Sequence, residues 1–173
     1  MSSDQLIAVA TDALRGVMQA AVPPGSAVLV GAPSPEGGEV SGLSVHLFRI
    51  GLLPLVRAVP MIGADGRRVR PELGLQLDYL ISGLGGEALQ ELGLLGTALQ
   101  ALADSPVRER QSLPALLSQP DRLSALSPGA LTIQWRVLDM PLDQVSGVWL
   151  ASGMRQRGGV FCRAEAVWQA VQA

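Results

Sequence analysis

Residues 74–105, GLQLDYLISGLGGEALQELGLLGTALQALADS, join a strand to a helix through a glycine turn, and their reading decides the fold. Leu75, Leu77, Tyr79 and Ile81 recur at period two while Gln76, Asp78 and Ser82 take the other face, the pattern of a half-buried strand. After Gly83-Leu84-Gly85-Gly86 the period changes. Leu92, Leu95, Leu99 and Leu102, flanked by Ala88 and Leu89, step by three and four. That spacing predicts a helix with one core-facing stripe and with Gln90, Glu91, Gln100 and Asp104 turned to water. The helix ends at Ser105-Pro106, because proline disfavours helical backbone in the residue before it.

Outward from this unit the same rules place the remaining elements. A first helix runs from Leu6 to Ala21, with Leu6, Ala10, Ala13, Val17 and Ala21 on one side, and Pro23-Pro24-Gly25 cannot continue it. Ser26 to Val30 and Leu43 to Ile50 read as strands. Gly51 to Pro71 is a long connection without clear periodicity that carries Arg67, Arg68 and Arg70. A loop of that length is either a partner-docking segment or a solvated turn around Asp65-Gly66. Between Val107 and Gly129, Pro114, Pro120 and Pro128 leave room only for short helical turns. Leu131, Ile133, Trp135 and Val137 alternate with polar residues, as do Val160, Cys162, Ala164, Ala166 and Trp168, and a helix lies between these two strands. The fold class that follows is α+β. It is a single domain over residues 1–173, with a mixed, mostly antiparallel sheet of four to five strands. Two long helices and a third, shorter one cover one face of that sheet.

Composition bounds the function. The chain has 173 residues, of which 48% are hydrophobic and 16% charged, noticeably apolar for a soluble monomer. Oligomer interfaces are one place for that excess, and an alanine- and leucine-rich proteome is another; all 13 basic residues are arginine. Charged residues, glycines and prolines interrupt every apolar run before it reaches membrane-spanning length. Met1-Ser2-Ser3-Asp4 lacks the basic start of a secretion signal and leads into a helix, with Ser2 and Gln5 at capping-box spacing, so synthesis in the cytoplasm is expected. A net charge of −2 and only three tryptophans, one tyrosine and two phenylalanines argue against nucleic-acid binding.

Catalytic constellations are missing by count. Zinc wants three or four ligands, and beyond carboxylates the chain offers His46 and Cys162 alone. His46, on a strand between Val45 and Leu47, reads as a packed or exposed side chain and Cys162 as a small core residue. A phosphate loop is excluded by the lack of lysine and by the prolines in Gly31-Ala32-Pro33-Ser34-Pro35-Glu36-Gly37-Gly38. Glu87 is expected to satisfy the start of the long helix itself. Asp78 is the only carboxylate inside a strongly apolar strand, but alternation puts it on the polar face beside Gln76. No cofactor is called for. Trp135, Trp149 and Trp168 read as core residues, with Trp149 also a candidate interface anchor because Val148 and Leu150 beside it cannot all face one core.

The wording of the central stretch, "DYL" then "LLGTALQALADSPV", resembles the N-terminal domain of the cap, or tail-terminator, proteins of extracellular contractile injection systems, phage-tail-like particles of the virulence-cassette and antifeeding-prophage type. The resemblance extends over the first helix, "VGAPSPEGG" at Val30 to Gly38, "LSVHLFRI" at Leu43 to Ile50, "PLDQVSGVWLASG" at Pro141 to Gly153, and the last strand. It implies a structural protein, not an enzyme. Such a protein forms a ring, typically a hexamer, on the distal end of the inner tube, where it stops tube growth and anchors the sheath. It would assemble into the particle with tube and sheath proteins as partners, without membrane insertion. Arg67, Arg68, Arg70 and Trp149 are then the candidate partner contacts. The alternative is an adaptor module of the same fold that does not cap the tube; a small hydrolase ranks third.

Overall fold

The computed structural model describes residues 5–32, 40–54, 73–85, 87–126 and 129–170. Its centre is strand β3, Leu73–Leu84, on which Leu75, Leu77, Tyr79 and Ile81 all point into the core as their alternation dictates. Before it come helix α1 (Gln5–Ala21), β1 (Ala27–Val30) and β2 (Gly42–Leu52). After it come α2 (Ala88–Asp104), β4 (Val107–Glu109), a single 3₁₀ turn (Arg110–Ser112), α3 (Asp121–Ala125), β5 (Gly129–Val137), α4 (Leu142–Ala151) and β6 (Gly159–Ala170). The strands form one sheet in the order β1-β2-β3-β6-β5-β4. β1 runs parallel to β2, and the other pairings are antiparallel.

Six strands stand where four to five are expected from the sequence. The addition is β4, in a segment whose prolines predict only short helical turns. Pro106 ends α2, its carbonyl accepts from Trp135 N at 2.8 Å, and the chain then pairs with β5 for three residues, too few to leave a period in the sequence.

The core lies between the sheet and α1, α2 and the turn segment around α3. α1 buries Leu6, Val9, Ala10, Ala13, Leu14, Val17 and Met18. At Gly16 a Cβ would overlap the Leu116 carbonyl, so only glycine lets the segment before α3 lie directly on α1. The phase of α2 differs from the expected one. Leu94, Leu95, Ala98, Ala101 and Leu102 face the core, whereas Leu92 and Leu99 are 55% and 42% exposed. The small side chains of Ala98 and Ala101 let the helix approach closely. At its start a Cβ on Gly83 would come within 2.7 Å of the Glu91 Cβ. Glu87 occupies the N-cap position without a side-chain cap hydrogen bond, contrary to its expected role.

Helices cover both faces of the sheet, not one. α4 packs on the face away from α1 and α2, where Trp149 joins Leu80 of β3 and Phe161 of β6. Phe48 meets Phe161 edge to face, with ring centroids 6.0 Å apart. A β-bulge between Leu47 and Arg49 accompanies this change of face along β2.

Candidate functional site

Beyond α4, the second face of the sheet carries a polar strip in which every charge has an opposite beside it. Alternation puts Asp78 of β3 across from Arg163 of β6 in the antiparallel ladder. Arg163 Nε donates to Asp78 Oδ1 at 2.6 Å and Nη2 to Oδ2 at 2.9 Å. Gln76, with its amide oxygen turned to the guanidinium, accepts from Arg163 Nη2 at 2.9 Å. Arg49 stands 3.9 Å from Asp78, and Arg136 pairs with Glu165 at 3.0 Å. The hydrogen bond to Asp78 pushes the Arg163 pKa up, against the effect of burial. Asp78 is 2% exposed, so the carboxylate expected on a solvated face is enclosed, its burial offset by the bidentate partner.

A second feature is a pocket of about 390 Å³ between α1, the end of β1, β2 and the segment before α3. Its walls are Ala8, Thr11, Val30 and Leu47, and its rim is Asp12, Arg15, Ser118 and Arg122. Asp12 organises the rim. It accepts from Arg15 Nε at 2.6 Å, from Ser118 N at 2.8 Å and from Ser118 Oγ at 2.9 Å, tying α1 to the chain before α3. Burial acts to raise the Asp12 pKa, but the bonds from Arg15 and Ser118 outweigh it and hold the carboxyl below its usual range. Thr11 contributes a buried hydroxyl bonded to Tyr79 Oη at 2.9 Å; burial pushes the Tyr79 phenol up.

Third are apolar side chains that the chain itself does not cover. On α2, Leu89, Leu92 and Leu99 line the face opposite the core, with Gly93 and Gly96 open to solvent between them. On α4, Leu142 and Leu150 are 71% and 82% exposed. A helix apolar on two faces is built to be buried twice.

Of the residues singled out in the sequence, Trp149 is 1% exposed and belongs to the packing under α4, with its indole N–H unpaired. It is a core residue of this chain, and the exposed position beside it is Leu150. Arg67, Arg68 and Arg70 lie outside the described residues. Cys162 is fully buried, and burial pushes its thiol pKa up, leaving it an inert core residue. His46 is half-buried, and desolvation lowers its pKa. Among the described residues no cluster of His, Cys, Asp and Glu could hold a metal ion, and no helix is long and apolar enough to cross a membrane. The pocket was not visible in the sequence, because its residues are scattered from Ala8 to Arg122. The outer face of α2 is missed too when one core-facing stripe is expected; its signal is that leucines at 89, 92, 94, 95, 99 and 102 occupy more of the helix circumference than one stripe can hold.

The family model of the Pvc16 N-terminal domain matches residues 9–170. Among solved structures, the chain is similar to the sheath/tube terminator of an extracellular contractile injection system, PVC, in its extended state, with a TM-score of 0.63 and 15% identity over 99% of this chain and 58% of that one. It is also similar to the tube-terminating cap of the anti-feeding prophage, with a TM-score of 0.61 and 16% identity over 94% of this chain and 54% of that one. The chain thus spans a little over half the length of either structure, and at these identities the likeness is one of fold. No curated protein matches the chain.

Proposed function

Because the chain belongs to the family of the Pvc16 N-terminal domain, we propose that it is a structural cap of a phage-tail-like contractile injection particle, the tail terminator that ends tube growth and anchors the sheath. The observation that carries this reading is the family match along nearly the whole chain, joined to a fold shared with two tube-terminating proteins. The cap is a ring, a hexamer, seated on the distal end of the inner tube, and its partners are further copies of itself, the tube protein and the sheath protein. Its role is mechanical, not enzymatic, and uses no cofactor, nucleic acid or membrane insertion. Synthesis and assembly take place in the cytoplasm. Apolar helix faces left open on α2 and α4 support a chain that completes its burial on assembly. Arg67, Arg68 and Arg70 serve as guanidinium contacts to carboxylates of a neighbour.

Electron microscopy of tubes grown with and without the purified chain tests the proposal. Tubes of bounded length with added density at one end are the expected result. Tubes that elongate equally in both samples and carry no end density would overturn the cap and leave the adaptor module as the reading.

A further inference from the structure

We propose that the pocket between α1, β1 and the segment before α3 receives Leu142 of a neighbouring copy of this chain, whose Asp139 and Asp143 meet the arginines on the pocket rim. This rests on the cap reading for the premise that copies of the chain meet in a ring.

The receiving side joins an apolar patch to an excess of basic groups. Val30 is 54% exposed, and Ala8 and Leu47 are half-buried, so the walls are left open. Of the charged rim residues, Asp12 neutralises Arg15 at 2.6 Å. Arg122 is exposed, and its Nε donates to the neutral carboxamide of Gln119 at 2.8 Å. One carboxylate against two guanidiniums leaves the rim with a surplus positive charge.

The entering side is the reverse. Leu142 opens α4, directly after Pro141, whose ring fixes the backbone there at a φ of −57°. α4 turns Val145, Val148 and Trp149 onto the sheet; Leu142, in the first turn of the helix, does not join that cluster and is 71% exposed. Asp139 and Asp143 flank it, and both are exposed. An apolar knob between two carboxylates fits an apolar hole edged by guanidiniums, in shape and in sign.

Position adds the geometry that a ring requires. The pocket sits at the β1 end of the sheet on the α1 side, while α4 packs against β3 and β6 on the opposite face. The two patches are therefore distinct, which makes the contact heterologous: it closes into a ring if the rotation between copies allows and otherwise continues as a filament.

Two single-cysteine variants test the contact. Val30→Cys chains and Leu142→Cys chains are mixed and mildly oxidised, with and without tube protein from the same particle; the native Cys162 is buried and does not compete. Disulfide-linked dimers of unlike chains, in excess over like pairs, are expected. Adding Arg122→Glu to the first chain or Asp143→Arg to the second should each lower that yield about tenfold, and adding both should restore it, because reversing both charges recreates the attraction. Absence of unlike pairs in either condition, or failure of the paired reversal to restore them, overturns the proposal. A chain that caps tubes but gives no such cross-link keeps the cap reading and loses this contact.

Discussion

Arg163 holds both carboxylate oxygens of Asp78 in a two-pronged grip across the β3–β6 ladder, at 2.6 and 2.9 Å. The carboxylate is nearly enclosed, so the pair works as a pin that fixes strand register; a one-residue slip would put Asp78 opposite an apolar neighbour. Arg163→Met should cost up to about 3 to 5 kcal/mol, the usual result of removing one member of a buried pair, with the exposed Arg49 at 3.9 Å from Asp78 offsetting part of it. Asp78→Asn combined with Arg163→Met should recover part of that loss, since no buried charge then remains. Urea unfolding of the three proteins measures both, and equal stability of the wild type and Arg163→Met would remove the pin from the account.

Stability should fall with acid in two windows. The folded-state pKa of His46 is lowered by desolvation from 6.5, so between the two values the unfolded chain binds the proton more readily. Its contribution is therefore complete above pH 6.5 and declines as pH drops below it. Asp12 is lowered from 3.8, and its contribution is complete above that value and lost beneath it. His46→Gln should flatten the urea midpoint across the first window and leave the second intact. Asp12→Asn should do the reverse, at a lower stability at neutral pH because the link from α1 to Ser118 is weakened.

On α2 two leucines of the expected stripe, Leu95 and Leu99, should separate. Leu95, 7% exposed, should cost about 2 to 5 kcal/mol as Leu95→Ala, whereas Leu99→Ala, at 42% exposure, should cost under about 1 kcal/mol. Thermal melts distinguish them. The outer face predicts that Leu99→Ala instead lowers association between chains, read by analytical ultracentrifugation.

The alternation of Leu75, Leu77, Tyr79 and Ile81 and the leucine content of 88–104 located the strand and the helix, although the strand runs on through Gly83 and Leu84, where a turn is expected. Helix phase was not legible in the same way, because α2 has leucines on two sides and only tertiary packing selects which side meets the sheet. Alternation likewise assigned Asp78 correctly to the second face of the sheet. What that face touches depends on Arg163, 85 positions away, and on α4, whose side of the sheet no local pattern specifies. The strand β4 escaped for a third reason: three residues paired through Pro106 and β5 are held by a long-range ladder, not by their own periodicity. Scattered pocket residues are invisible to any window along the chain. Trp149 reads as a core residue first and an interface anchor second, and a second small core holds it on the face that no local pattern specifies.

That small core yields the last prediction. Trp149 is packed against Leu80 and Phe161, while Leu150, the next residue round the helix, is 82% exposed. Trp149→Ala removes the largest side chain of the cluster and should cost about 3 to 5 kcal/mol, enough to detach α4 from the sheet in a marginal domain. Leu150→Ser touches no packed group and should stay within about 0.5 kcal/mol. Near-ultraviolet circular dichroism and thermal melts should therefore respond to the first substitution and not to the second. If α4 is also part of the contact between copies, Leu150→Ser should weaken association at unchanged melting temperature; a large loss of stability from Leu150→Ser would mean that α4 is packed in the opposite rotation.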